Sequence, residues 1–257
     1  MFDLKGKVAL ITGGTRGIGR GISLTMAQAG ATLALNYRQD EKSAHQTLER
    51  IRELAAGSIL VQADLESEEQ TRAMVRRTGA ELGRLDFLVM NAVTTTTKPL
   101  LAVKPTSFWR TMTMNIGGFL TAVQEAAPVM ADNGRIVLIS GTEVTKYCGS
   151  NQEVLHVAKS AMESMVHQLA FALGSRGITV NGLGLGLFDT DSTRFLFGDK
   201  FDQFADNMKS HTALKRIGVP SDVGGVVAML CSPLASYITG QIIMVDGGTS
   251  AMAPFST

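Results

Sequence analysis

The chain has 257 residues, of which 45% are hydrophobic and 18% charged, and its formal net charge is +1. This composition is typical of a compact domain with a large core, and the absence of basic clusters argues against nucleic acid or an anionic membrane as a partner. The N-terminal MFDLKGK has no signal-like apolar region, and no apolar run reaches the roughly 18 residues of a membrane span. We therefore predict a cytoplasmic protein with a single domain over residues 1–257. Cys148 and Cys231 have no paired spacing, so neither a disulfide nor a metal site is expected.

The first stretch with a chemical signature is VALITGGTRGIG, at residues 8–19. It opens with an unbroken apolar run, typical of a parallel strand that is covered on both faces. Three glycines spaced G-x-x-x-G-x-G follow, and they permit a tight turn and a close approach of backbone to a pyrophosphate. A helix predicted over residues 18–29 would direct its free N–H groups at the phosphates. The residues expected to contact this dinucleotide are Gly13, Thr15, Arg16, Gly17, Ile18 and Gly19.

Apolar strands and amphipathic helices alternate along the rest of the chain. Further strands are predicted at residues 31–37, 58–65, 87–93, 135–140, 178–186 and 241–248. Such alternation implies right-handed crossovers between parallel strands. The predicted fold is α/β, a Rossmann-type, doubly wound, seven-stranded parallel sheet with helices on both faces. Ligands of such sheets bind at the carboxyl ends of the strands.

The end of the second strand indicates which dinucleotide binds. It reads Asn36, Tyr37, Arg38, with no acidic residue before Asp40. An NAD site usually places an acid here for the ribose hydroxyls, whereas a 2′-phosphate requires a cation. Arg38 and Arg16 could hold that phosphate from two sides, so we predict NADP(H); two solvated arginines are the alternative.

Polar residues after the next strands extend the predicted cofactor site. Asp64 and Leu65 would lie beside the adenine, and Asn91 and Ala92 would bring backbone to the middle of the cofactor. Asn115 lies in a helical stretch although Asn is an indifferent helix former. It is predicted to interrupt the helical hydrogen bonds and hold a water; a surface polar residue is the alternative.

Together these motifs resemble the short-chain dehydrogenase/reductase family over essentially the whole chain, most of all its enoyl-acyl-carrier-protein reductase and ketoreductase branches. The resemblance implies a dinucleotide-binding domain, a homodimer or homotetramer, and hydride transfer at a nicotinamide. It places Lys159 at the nicotinamide ribose, Thr190 at the carboxamide and Gly186 near the nicotinamide. The matching segments are TGGTRGIG (12–19), ADL (63–65), MNAV (90–93), MN (114–115), Lys159, VNGLGLGLFDTD (180–191) and YITGQIIMVDGG (237–248).

The chain departs from the family at its proton-donating residues. The family's Tyr, four residues before the Lys, is Leu155 here, and the Tyr that enoyl reductases carry seven residues before it is Gln152. The family's catalytic Ser is Gly141, so of the Asn, Ser, Tyr and Lys set only Asn115 and Lys159 remain. A positioned proton donor is worth about 10² to 10⁴ in rate and an oxyanion hydrogen bond about 10² to 10³. Their loss should cripple ordinary ketone reduction unless another group replaces them.

Several residues are candidates for that replacement. Tyr147 lies in the loop after the fifth strand, above the expected nicotinamide, and Thr142 follows Gly141. His156 could act as a general acid. Its direction from the helix differs by about 100° from that of residue 155, so facing a subunit neighbour is its alternative. The predicted catalytic set is therefore Lys159, Asn115, Tyr147 and Thr142.

Residues 191–212 correspond, by the resemblance, to the substrate lid. An apolar inner face there would suit an acyl chain, a polyketide or a terpenoid, although packing of the lid onto the body would need the same residues. The residues of this face are Phe195, Leu196, Phe197, Phe201, Phe204 and Met208.

Three functions remain open at the level of sequence. The first is an NADP(H)-dependent reductase of an enoyl or keto group in an apolar substrate, free or bound to a carrier protein, in fatty acid or polyketide biosynthesis. The second is a cofactor-independent cyclase, isomerase or dehydratase. The third is a binding subunit without chemistry. The intact glycine turn and Arg38 favour the first, and the missing Ser and Tyr favour the other two.

Overall fold

A computed structural model describes residues 2–142, 144–146 and 151–251. Seven parallel strands form one sheet in the order β3-β2-β1-β4-β5-β6-β7. The chain therefore reverses its direction of travel across the sheet between β1 and β4, which opens a crevice at their carboxyl ends. The strands are β1 (Val8–Ile11), β2 (Thr32–Tyr37), β3 (Ile59–Gln62), β4 (Leu85–Met90), β5 (Met130–Gly141), β6 (Thr179–Leu185) and β7 (Ile242–Val245).

Helices cover both faces of this sheet, as the alternating pattern predicts. One apolar core joins the sheet to α1, α2 and α9, and a second joins the opposite face to α3, α5 and α6. Both faces of the strands are thereby removed from water. The helices are α1 (Gly17–Gln28), α2 (Glu41–Arg52), α3 (Glu68–Leu82), α4 (Pro105–Met112), α5 (Gly118–Ala126), α6 (Glu153–Leu173), α7 (Asp191–Phe197), α8 (Phe201–Ser210) and α9 (Pro220–Cys231). No helix in the described ranges has the length and apolarity needed to cross a membrane.

The predicted strand boundaries differ most at β4 and β5. β4 begins at Leu85 because Asp86, only 2% exposed, accepts hydrogen bonds from Lys7, Arg84 and the backbone N–H of Val8. Burial opposes ionisation of Asp86, but these donors hold its pKa below the usual value. β5 begins five residues early, at Met130, through a register shift opposite β4. A pattern of apolar residues predicts neither a charged residue inside a strand nor an irregular pairing between two strands.

Candidate functional site

A cavity of about 760 Å³ opens at the carboxyl ends of the strands. The glycine turn, the ends of β2, β4, β5 and β6, the start of α6 and the α7–α8 segment enclose it. The predicted site residues that line it are Gly13, Thr15, Arg16, Gly17, Ile18, Gly19, Arg38, Leu65, Asn91, Ala92, Thr142, Lys159, Gly186 and Thr190. Residues of the predicted lid, between 192 and 208, therefore line the same cavity as residues of the first four strand ends, between 13 and 94. The sequence predicted this proximity only through the family resemblance.

The glycine turn is shaped by backbone that other residue types rarely adopt. Gly13 and Gly17 have φ angles of +60° and +51°, and a Cβ on Gly19 would lie 2.0 Å from the carbonyl oxygen of Gly13. Arg16 precedes α1 in an extended conformation and makes no side-chain capping bond, so the first turn of the helix keeps its N–H groups for a ligand. A Cβ on Gly17 would reach to 3.8 Å from Thr190 across the cleft.

Neighbouring strands hold this turn in place. The Asn91 amide donates to the carbonyl oxygens of Thr12 and Gly13, at 2.9 and 3.2 Å. The backbone N–H groups of Asn91 and Ala92 donate to the Thr12 hydroxyl at 2.9 and 3.0 Å. Asn36, at the end of β2, accepts from the Gly13 N–H at 3.2 Å. Asn36 is thus a support of the site that the sequence pattern did not reveal.

The two predicted phosphate-binding arginines are exposed at the edge of the cavity. Nη1 of Arg38 lies 3.9 Å from Oδ2 of Asp64. Asp64 also accepts from the backbone N–H of Glu66, and it does not line the cavity among the described residues. The Asp64 carboxylate thus turns to Arg38, whereas Leu65 lines the cavity. The place of both residues beside the adenine stays a prediction.

Asn115 lies behind the cavity rather than in it. Residues Thr113–Gly117 form a single π-helical turn, so the predicted interruption of the helix is present, and Asn115 is only 2% exposed. Its amide donates to the carbonyl oxygens of Thr94 and Thr111, both at 2.8 Å. The surface alternative is therefore wrong, and Asn115 supports the cavity wall through Thr94, which does line it.

Lys159 is the central charged group of the cavity floor. Burial lowers the pKa of its amine to about 8, against the opposing pull of the Glu163 carboxylate. Leu155 and Gly141, which the family resemblance places at its Tyr and Ser positions, both line the cavity beside it. A Cβ on Gly141 would lie 3.8 Å from Nζ of Lys159, an ordinary contact distance. Gly141 thus leaves space beside the amine.

The remaining donor candidates differ in position. His156 and Gln152 both line the cavity, so His156 faces the site. Thr142 lines it as well, and its backbone N–H donates to the carbonyl oxygen of Leu185 at 3.1 Å. Tyr147 lies outside the described residues, as does Cys148.

The segment predicted as a lid consists of α7, α8 and the short turn between them. Four of its apolar side chains line the cavity, and Phe197 stacks on Phe204 with ring centroids 4.1 Å apart. Phe195 is instead 91% exposed, and Phe201 is buried beneath the Arg194 guanidinium at 4.4 Å. The apolar inner face of the lid therefore consists of Leu196, Phe197, Phe204 and Met208, and the predicted Phe195 and Phe201 are not part of it.

Comparison with known proteins identifies the family of this chain. The family described as Enoyl-(Acyl carrier protein) reductase matches residues 13–250. The chain belongs to the short-chain dehydrogenase/reductase family. The 1-cyclohexenylcarbonyl-CoA reductase of Streptomyces collinus is 34% identical to it, over 96% of this chain and 88% of that protein. A 3-oxoacyl-[acyl-carrier-protein] reductase of Staphylococcus aureus is 33% identical, over 94% and 97%.

A solved short-chain dehydrogenase from Burkholderia cenocepacia extends the comparison to structure. Its TM-score is 0.88 at 31% identity, with 96% of this chain and 98% of that chain covered, and it was determined in complex with NADP. The predicted family and fold are confirmed, and the predicted NADP(H) dependence agrees with this neighbour. The relatives are oxidoreductases, which confirms the predicted enzyme class.

Proposed function

We propose that this short-chain dehydrogenase/reductase is an NADP(H)-dependent reductase of an enoyl group, or of a keto group, in an apolar acyl or polyketide substrate, free or bound to a carrier protein. One observation carries the proposal: Lys159, the glycine turn and the apolar face of the lid open on one cavity. A dinucleotide bound by the glycine turn and an apolar substrate bound by the lid would lie next to each other at the Lys159 amine. The relatives with acyl-CoA and acyl-carrier-protein substrates in their names support this substrate class.

The residues present fit a bound NADP(H). The glycines leave a cleft that a Cβ on Gly17 would partly fill, next to Thr190, and the uncapped start of α1 offers N–H donors to a pyrophosphate. Arg16 and Arg38 supply exposed cations where a 2′-phosphate would bind. When bound, NADPH would supply a hydride, and these residues would hold it in the cavity.

An enoyl substrate fits this floor better than a ketone does. Reduction of a ketone develops negative charge on the oxygen that the missing Tyr and Ser would normally protonate and bind. Reduction of an enoyl thioester delocalises that charge over an enolate, which a cation and a hydroxyl can stabilise. Lys159 and Thr142 are both on the cavity surface and would supply them. The Streptomyces relative, named as a cyclohexenylcarbonyl-CoA reductase, also favours an enoyl group.

The proposal is tested first by titrating the protein with NADPH and NADH while following nicotinamide fluorescence. Micromolar NADPH affinity is expected, with weaker binding of NADH. Arg38→Ala should weaken NADPH binding about 10- to 100-fold, as expected for loss of a charge-assisted hydrogen bond, while Arg50→Ala, an exposed arginine of α2, should not. Consumption of NADPH is then measured with enoyl-CoA and 3-oxoacyl-CoA substrates of matched chain length. Binding of neither nucleotide would contradict the proposal.

A second candidate function follows from the two departures at the cavity floor. Leu155 and Gly141 leave the cavity without the family's proton donor and substrate hydroxyl. A cofactor-independent enzyme or a binding subunit would need neither. Product formed in the absence of nucleotide would favour the enzyme, and tight substrate binding without any turnover would favour the subunit.

We also propose that the chain forms a homodimer or homotetramer. α6 exposes Val157 at 47% and Phe171 at 93%, and neighbouring α4 and α5 expose Trp109 at 65% and Leu120 at 39%. α4 packs against α6, so these apolar side chains belong to adjoining helices. Large exposed apolar residues on adjoining helices are typical of a surface that another subunit covers.

A further inference from the structure

A second polar group lies directly behind Lys159, where β5 meets α6. Ser140 is the penultimate residue of β5 and is 1% exposed, and its hydroxyl donates to Oε1 of Glu163 at 2.5 Å. Glu163 follows Lys159 by four residues, one turn along α6, so both side chains project from the same face of the helix. Ser140 and Lys159 also line the cavity, which connects this group to the site.

Burial and neighbouring groups shift the pKa of Glu163 in opposite directions. Burial raises the pKa of its carboxyl, while the hydrogen bond from Ser140 and electrostatic interactions with Lys159 and His167 lower it. The lowering of the Lys159 pKa to about 8 is likewise opposed by Glu163. These are the titratable or charged groups that face the carboxyl from α6, and Ser140 is the polar group that faces it from β5. A negative charge at Glu163 favours the protonated form of the Lys159 amine.

The position of Glu163 also gives this group a route to solvent. Its side chain is only half-buried, whereas Ser140 is buried, and His167 lies exposed one further turn along the helix. The Glu163 carboxyl is therefore in partial contact with solvent. At the position where the family resemblance places a proton-donating Tyr, the cavity is lined by Leu155.

We propose that Glu163, oriented by Ser140, is a positioning residue whose carboxylate keeps the Lys159 amine protonated. This inference rests on the proposed function, because a reduction by NADPH consumes one proton for each hydride. An N–H bond of the Lys159 ammonium breaks and its proton joins the reduced substrate. A proton from solvent then returns to the neutral amine, and the negative charge of the Glu163 carboxylate favours this return.

The electrostatic part of this proposal is measured without cofactor or substrate. The protein is labelled with an amine-reactive reagent over a range of pH, and the extent of labelling at Lys159 is read by mass spectrometry of its peptide. Glu163→Gln should lower the pKa of Lys159 by about one unit, because it removes the facing negative charge. Ser140→Ala should lower it less, and Glu163→Asp should keep it near the wild-type value. Glu53→Gln removes a carboxylate at the far end of α2 and should change nothing.

The mechanistic part is measured on the active enzyme. Glu163→Gln should lower kcat, leave KM little changed and move the alkaline fall in rate to lower pH, whereas Glu163→Asp should restore most of the activity. An unchanged Lys159 pKa in folded Glu163→Gln or Ser140→Ala protein, checked by thermal unfolding, would overturn the inference. A shifted Lys159 pKa with an unchanged rate profile would also overturn the inference, because the protonation of Lys159 would then not control the reaction. Failure of NADPH to bind would instead contradict the proposed function, and the labelling result would be unaffected.

Discussion

A Cβ on Gly141 would lie 3.8 Å from Nζ of Lys159. This distance is an ordinary van der Waals contact, so a side chain is tolerated at the position where the family carries its serine. Leu155, at the family's tyrosine position, is buried and lines the same cavity. By the family resemblance, these two residues remove a hydroxyl and a phenol from the cavity floor and leave room for a serine at residue 141.

Restoring the two hydroxyl groups should restore ketone reduction. The double variant Gly141→Ser with Leu155→Tyr should raise kcat/KM for a 3-oxoacyl-CoA by about 10² or more, because it supplies a proton donor and an oxyanion hydrogen bond. The measurement is NADPH consumption with keto and enoyl substrates in parallel. Gly225→Ser, in open space on α9, is the matched control. Unchanged ketone activity in a variant that still binds NADPH would show that the substrate does not approach Lys159.

The charge of Lys159 should appear in the pH profile of the reaction. Its pKa is lowered to about 8, so the amine is protonated below that pH and neutral above it. If the ammonium stabilises the enolate, kcat/KM falls as pH rises through about 8. Lys159→Arg, whose guanidinium stays charged, should be less active but lose this alkaline fall. A wild-type rate that is flat from pH 6.5 to 9.5 would exclude Lys159 as the titrating group.

Crowding at Gly19 makes the glycine turn intolerant of substitution. A Cβ there would lie 2.0 Å from the carbonyl oxygen of Gly13, so Gly19→Ala should destabilise the protein by about 1–3 kcal/mol and weaken NADPH binding. Gly79→Ala is the control, since Gly79 lies in α3 with nothing near its added Cβ, and it should stabilise the protein slightly. Thermal unfolding and the fluorescence titration give both results. A Gly19→Ala variant as stable as wild type would contradict the packing seen in the turn.

The exposed apolar residues of α6 should determine the oligomeric state. Phe171→Asp is expected to shift a dimer or tetramer towards smaller species, because it places a charge in a surface that a second copy would cover. Sedimentation velocity measures the change. Phe195→Asp alters an equally exposed phenylalanine on α7 and should leave the assembly intact. Equal sedimentation of wild type and Phe171→Asp would place any interface elsewhere.

The amino-acid sequence by itself determined the elements of this protein and their order. Local patterns were sufficient for this, because strand and helix periodicity and the glycine spacing of residues 13–19 depend on neighbours in the chain. The same local reasoning pointed to Arg38, which lines the cavity, and to the interrupted helix at Asn115. Recognition of Leu155 and Gly141 as departures also needed only a motif and a count of residues.

Contacts between distant residues were decided by the tertiary structure alone. Asp64 turns to Arg38, Asn115 supports Thr94, and Phe201 is covered by Arg194, none of which follows from spacing along the chain. The pairing of Ser140 with Glu163 joins a strand to a helix 23 residues later. Charge, burial and hydrogen bonding act through space, so the environment of Lys159 could be derived only once β5 and α6 were placed side by side.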